Sequence, residues 1–264
     1  MTVDLSGRTA LVTGGASGIG QAIAASLAAS GAQVVIGDIS PERSEAAAGA
    51  IATHGGNVRF VRQDVTAGAD WDRVLGEIAA RGSLDILVNN AGLQWARSIE
   101  EAKPDDLRNH LRVNLGGLQM GMMRAMRIMG DRRSGDGVIV NVISTYGLVG
   151  EEFNAAYCTS KGAARAVTER AAALCRERRL PVRIHAVHPG CCITPLVERE
   201  HRETLPQMPG RDGAALWEEW RLEHPIGRLG RAEDIADAVR FLVSDRARFL
   251  RTIDLPVDGG YTAQ

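Results

Sequence analysis

Residues 9–38 read TALVTGGASGIGQAIAASLAASGAQVVIGD, and this stretch decides the fold. A short apolar run leads into a glycine-rich turn, then an Ala- and Leu-rich segment closed by Gly31, then a second apolar run ending in an acid. The pattern reads as strand, tight turn, helix and strand. Both strands are apolar throughout, as expected of a parallel sheet covered on both faces. In "TGGASGIG", Gly14, Ser17, Gly18, Ile19 and Gly20 form a turn that lets backbone approach a pyrophosphate at the positive end of the helix. The spacing T-G-x-x-x-G-x-G differs from the commoner G-x-G-x-x-G, and any tight strand-to-helix turn favours glycine.

Outward from this stretch the same alternation continues. Strands are expected at "VRFVRQDV", "LDILVNNAG", "GVIVNVIS", "VRIHAVHPG" and around "IDLPVDGG". Helices are expected between them, including a long one from about Asp105 to Met129 and another from about Ala155 to Arg179. Residues from after "HPG" to about Pro225 read as irregular. With no repeat or linker, the chain is expected to form one doubly wound α/β domain of about seven strands over residues 1–264. A formal net charge of -1 favours neither nucleic acid nor an anionic membrane. The arginine clusters "DRRSG" and "CRERRLP" are diluted by acids and read as solvated helix ends. No signal peptide or membrane-length apolar run stands out. Cys158, Cys175, Cys191 and Cys192 show no zinc-type spacing, so no metal is expected. Reduced thiols and a cytoplasmic location are expected.

Asp38 closes the second strand about twenty residues beyond the turn, where an acid binds adenosine ribose hydroxyls. Ile39 follows it, and the nearest basic residue, Arg43, lies further along the next helix. NAD is therefore expected rather than NADP. An acid that merely starts a helix is compatible with the same sequence.

Lysine occurs at Lys103 and Lys161, although the chain has 31 basic residues. A compact ammonium does some jobs a planar guanidinium cannot. Tyr157 and Lys161, in "YCTSK", are four apart and share a helix face. An ammonium beside a phenol lowers its pKa and makes a usable acid/base. Ser144 precedes this helix, at the carboxyl end of a strand, where open parallel sheets bind ligands.

Together "TGGASGIG", Asp38, "DV" at 64–65, "NNAG", Asn114, Ser144, "YCTSK", "PG" at 189–190, Thr194 and "VDGGYTAQ" resemble the short-chain dehydrogenase/reductase family over nearly the whole length. The resemblance implies a Rossmann-type fold and hydride transfer. It implies that Tyr157 is the acid/base, that Ser144 bonds the substrate oxygen and that Lys161 holds the nicotinamide ribose. Asn114 would anchor a water in a proton relay. Asp64 and Val65 would flank adenine. Asn90, Ala91 and Gly92 would pass the adenosine ribose, and Pro189, Gly190, Ile193 and Thr194 would fix the carboxamide. His188 stands where relatives often carry Asn, and is read as a strand-end hydrogen bond. "FLRTIDLP" lacks the glycine often found at position 252.

"STYGLVG", "HPG", "TP" and "VDGGYTA" look like the branch containing cyclopentanol, cyclohexanol and bacterial hydroxysteroid dehydrogenases. A secondary, often cyclic and apolar alcohol is implied. Residues 195–224 are expected to form the substrate lid. The pocket candidates are Gln94, Trp95, Thr145, Tyr146, Phe153, Leu196, Trp217 and Trp220. Both lid tryptophans have an alternative reading as packing residues. Glu151 and Glu152 argue against an anionic substrate. The rival readings are an NADPH-using acyl-carrier 3-oxoacyl reductase and a non-catalytic NAD sensor. In relatives the helices carrying "LGGLQMGMMRAMRIMG" and Tyr157 pair across a two-fold axis, which implies a homotetramer.

Overall fold

The computed structural model describes residues 3–53, 55–131, 136–208 and 210–263. Arg132 and Arg133 of one arginine cluster, Pro209 of the lid and Gln264 lie outside the described residues. The strands are β1 (Thr9–Thr13), β2 (Gln33–Asp38), β3 (Val58–Arg62), β4 (Ile86–Asn89), β5 (Gly137–Val142), β6 (Val182–Pro189) and β7 (Asp254–Val257). They form one parallel sheet in the order β3-β2-β1-β4-β5-β6-β7.

Strand periodicity explains why the apolar runs tolerate no polar face. Successive side chains point to opposite faces. Ala10, Val12, Val34, Ile36, Ile86 and Val88 enter one core, packed against α1 (Gly18–Ala29), α2 (Pro41–Ala52) and α9 (Ala232–Val243). The intervening Leu11, Val35 and Leu87 enter the other, under α3 (Gly68–Ala79), α5 (Leu118–Gly130) and α6 (Ala155–Glu177). Each fully buried Val, Leu or Ile contributes about 1.5–3 kcal/mol. Shifting any strand by one residue would exchange its two apolar faces.

The chain turns from β1 to β2 and β3 on one side, then crosses back to β4 on the other. That reversal opens a crevice beyond the carboxyl ends of β1 and β4. Asn90 spans it: its Nδ2 donates to Thr13 O and Gly14 O, each at 3.1 Å. Thr13 Oγ1 accepts from the backbone N–H of Asn90 and Ala91, also at 3.1 Å.

Two sequence expectations need correction. The long helix is interrupted: α4 (Pro104–His110) passes into a π-helical segment, Leu111–Gly117, before α5. The segment expected to be irregular contains α7 (Pro195–Thr204) and α8 (Gly213–Leu222). Pro195 presets the first turn of α7, where Thr194 Oγ1 accepts from Val197 N at 3.4 Å. Asp212 caps α8 by accepting from Ala214 N and Ala215 N at 2.6 and 3.0 Å.

Gly20 lies inside α1, facing the first turn. A Cβ there would sit 2.2 Å from the Gly14 carbonyl oxygen, and backbone cannot move aside cheaply. Gly20→Ala is expected to destabilise the protein by about 1–3 kcal/mol. Urea unfolding should show a lower midpoint with an unchanged slope.

Candidate active site

The crevice extends from the β1–α1 turn to the lid, with a cavity of about 490 Å³. At one end lie Gly14, Ser17, Gly18 and Ile19 of the turn. Gly18 has φ 53°, a left-handed conformation that glycine adopts without strain. Ser17, the N-cap of α1, makes no side-chain capping bond, so the helix N-terminus is free to meet an anion. Asp38 and Ile39 form the next wall. The Asp38 carboxylate accepts from Ala16 N at 3.3 Å and Ser40 N at 3.1 Å. Arg43 is nearer than the sequence suggests: its guanidinium reaches Asp38 at 4.0 Å and borders the crevice.

Asp64 and Val65 lie beside Gln63, which sequence reasoning missed. Gln63 is 1% exposed, and neither its Nε2 nor its Oε1 has a partner. An unpaired buried amide costs about 1–3 kcal/mol, which a bound polar ring edge would relieve. Together with the glycine turn and the ribose-level acid, this amide fits an adenine dinucleotide. Asn90, Ala91 and Gly92 line the middle, and Pro189, Gly190 and Thr194 the far side.

Ser144, Tyr157 and Lys161 converge at the floor. β5 ends at Val142, so Ser144 stands just past the sheet edge, while α6 brings Tyr157 and Lys161 beneath it. Ser144 and Tyr157 border the same part of the crevice, and the Ser144 hydroxyl accepts from Tyr146 N at 3.1 Å. Lys161 Nζ donates to Val142 O at 3.2 Å and lies 5.4 Å from the centre of the Tyr157 ring. Both side chains are buried.

The electrostatics differ from the sequence expectation. Burial pushes the Tyr157 phenol well above its ordinary value, the Glu200 carboxylate pushes it further, and the Ser144 hydroxyl opposes both. The ammonium lies over the ring face, and burial is the stronger influence on the phenol. Burial also lowers Lys161 from 10.5 to about 8.

Asn114 lies at the centre of the π-helical segment, not on the crevice wall. Its Nδ2 donates to Leu93 O at 2.9 Å and Ser160 Oγ at 3.0 Å, and its Oδ1 accepts from Leu93 N at 2.9 Å. It stands behind Gly92, where an added Cβ would lie 3.3 Å from Asn114 Oδ1 and 3.6 Å from Lys161 Nζ. Asn114 and Lys161 thus approach a common point.

Gln94, Thr145, Tyr146, Leu196 and Trp220 line the lid end. Trp95, Phe153, Trp217, Ile193 and Gly20 do not. Trp95 turns away, donating to Asp106 Oδ1 at 3.1 Å and packing edge-on to His110. Trp217 stacks on His201 at 4.3 Å, inside the lid. Phe153 is buried beside a bridge between Arg97 and Asn154, and Ile193 is 55% exposed. Glu200, Glu223 and His224 of the expected lid, and Tyr261 of "VDGGYTA", also line the lid end, although the sequence singled out none of them individually. His188 bonds Ser144 O at 2.8 Å and the Asp254 carboxylate, as read from its place at a strand end.

The short chain dehydrogenase profile matches residues 8–204. The chain belongs to the short-chain dehydrogenase family. It is 34% identical to the 2,5-dichloro-2,5-cyclohexadiene-1,4-diol dehydrogenase of Sphingobium indicum, covering 98% of this chain and 97% of that one. It is 36% identical to the NADP-dependent (R)-specific alcohol dehydrogenase of Lentilactobacillus kefiri, covering 100% of both. It is 34% identical to the cyclopentanol dehydrogenase of Comamonas testosteroni, covering 97% of each. The branch expected from the sequence is thus among its relatives.

The shifted lysine makes a stability test. Its folded pKa is depressed, so between about pH 8 and 10.5 the unfolded chain holds a proton that the folded one releases. This group's contribution to stability therefore rises with pH through that window. Between pH 7.5 and 9.5, wild type is expected to gain about 1–2 kcal/mol relative to Lys161→Met. Denaturant midpoints of both proteins at the two pH values measure it.

Proposed function

We propose that this short-chain dehydrogenase is NAD-dependent and interconverts a secondary, cyclic and largely apolar alcohol with its ketone. The convergence of Ser144, Tyr157 and Lys161 at the crevice floor carries this reading. Two of the three relatives described above are named for cyclic alcohols.

Bound NAD would supply the hydride acceptor and place a cationic nicotinamide ring near the phenol. Gly14, Ser17, Gly18 and Ile19 would hold its pyrophosphate, Asp38 its adenosine ribose, and Gln63, Asp64 and Val65 its adenine. Lys161, protonated at neutral pH, would hold the nicotinamide ribose and keep positive charge beside Tyr157. Ser144 would donate to the substrate oxygen, and Tyr157 would accept the alcohol proton during oxidation and return it during reduction. Asn114, close to Lys161 behind Gly92, would position a water for proton exchange with solvent. Thr194 and its neighbours would fix which face of the ring is presented.

Asp38 supports NAD because its buried carboxylate would meet a 2′-phosphate with like charge. Arg43 and the NADP-dependent relative support NADP as the second reading. An electrostatic cost of about 2 kcal/mol would give NAD a roughly thirtyfold advantage in kcat/KM. Steady-state kinetics with both cofactors test this, and Asp38→Ala should narrow the gap. Equal use of both cofactors would refute the NAD assignment.

We also propose a homotetramer in the cytoplasm. The exposed Leu107 and Met123 on the α4–α5 surface support association, and the four free cysteines suit a reducing compartment. Among the described residues no helix is long and apolar enough to cross a membrane. Light scattering at micromolar concentration checks the assembly; a monomer would contradict it.

Two substitutions test the chemistry. Tyr157→Phe should remove almost all turnover and leave NAD binding largely intact. Lys161→Arg should lower kcat/KM at least about a hundredfold, near 3 kcal/mol, because the guanidinium fork is too large for the ammonium's buried place. Fluorescence titration with NAD beside turnover assays separates binding from chemistry; near-normal turnover by the arginine variant would defeat the role given to Lys161.

A further inference from the structure

Glu200 is a buried acid on the crevice wall that the proposed reaction does not use. It projects from α7, is 6% exposed, and lines the lid end of the crevice with Tyr157 and Tyr146. Asn154 Nδ2 donates to its Oε1 at 2.9 Å, and Gln94, which lines the same crevice, also favours its charged form. The same amides are tied together, Gln94 Nε2 donating to Asn154 Oδ1 at 2.9 Å. Asn154 Nδ2 also reaches Glu151 Oε2 at 2.6 Å.

This arrangement holds a carboxylate in place without neutralising it. The charges that act most on Glu200 are Glu151, from the loop before α6, and Glu203 on its own helix, both of its own sign, while the cations Lys161 and Arg199 line the same crevice. Titratable groups that Glu200 acts on are Tyr157 and Cys158 on α6, Tyr146 after β5, and Cys191 after β6, and Glu223, His224 and Tyr261 line the same crevice. Burial, reinforced by Glu151, pushes Glu200 up to about 7. A carboxylate has about four acceptor sites, of which the Asn154 amide uses one. The remaining capacity borders the crevice, where a buried acceptor gains most from a neutral donor.

We propose that Glu200 is a specificity-determining residue that accepts a hydrogen bond from a second hydroxyl of the substrate, so that a cyclic diol is preferred to the corresponding mono-alcohol. This rests on the dehydrogenase reading, with the reacting hydroxyl at Ser144 and Tyr157. A substrate carboxylate at the same place meets like charge and is disfavoured.

The test is a panel of cyclohexanol, the 1,2-, 1,3- and 1,4-cyclohexanediols and 4-hydroxycyclohexanecarboxylate, followed by reduced-cofactor absorbance with whichever cofactor is used. Wild type is expected to favour its best diol over cyclohexanol at least about tenfold in kcat/KM. Glu200→Gln should collapse that ratio, chiefly through KM, and improve the carboxylate relative to cyclohexanol. Glu200→Asp, which retracts the charge, should lose the diol preference and still reject the carboxylate. In wild type the preference should grow as pH rises through about 7, where Glu200 ionises, and this trend should vanish in Glu200→Gln. Should the variants fail to fold, the wild-type ratio and its pH trend still decide. Alcohol turnover with no diol preference, or a ratio unmoved by Glu200→Gln, overturns the inference alone. No turnover of any alcohol overturns the dehydrogenase reading, and this inference with it.

Discussion

The clasp between Thr13 and Asn90 is the interaction on which the site depends. Two strands far apart in sequence leave the sheet at the point where its order reverses. Asn90 takes both free carbonyls of the β1 exit, and Thr13 takes two amides of the β4 exit. Such buried backbone groups must be paired, and here the pairing itself fixes the width of the crevice. It also explains the small residues around it. A side chain on Gly14 would come within 2.8 Å of Ala91 Cα, so the two turns touch backbone to backbone.

The strands and most helices were legible because each signal is local. An apolar run with no polar face admits one placement, between two helical layers. The phosphate turn, Asp38, Ser144, Tyr157 and Lys161 were also legible, since they sit at fixed offsets from strand ends. The lid was harder. Arginines and acids dominate α7, so its sequence carries no continuous apolar stripe, and its helicity rests on Thr194 and Pro195. Gln63 and Glu200 escaped notice because a glutamine after a strand or a glutamate on a charged helix ordinarily faces water. Their burial arises from contacts that chain spacing does not encode. The lid tryptophans divide between the two readings the sequence left open: Trp217 packs on His201 within the lid, and Trp220 lines the crevice.

A buried ammonium and a buried phenol are both costly, and the protein keeps them together. Desolvation drives each toward its neutral form, Lys161 downward and Tyr157 upward. The fold holds this unfavourable pair in place with a large apolar core on either side of the sheet. Stability and readiness for chemistry therefore pull in opposite directions at this site.

His188 connects parts of the molecule that seem unrelated. One ring nitrogen meets the carbonyl of Ser144, and the other meets Asp254 on β7. Asp254 in turn accepts from Arg165 Nε on α6 at 2.6 Å, two turns beyond Tyr157. The edge strand, the serine loop and the tyrosine helix are thereby braced as a triangle. An engineer who redesigns the lid can leave this frame untouched, whereas altering the edge strand perturbs the aim of the serine from behind.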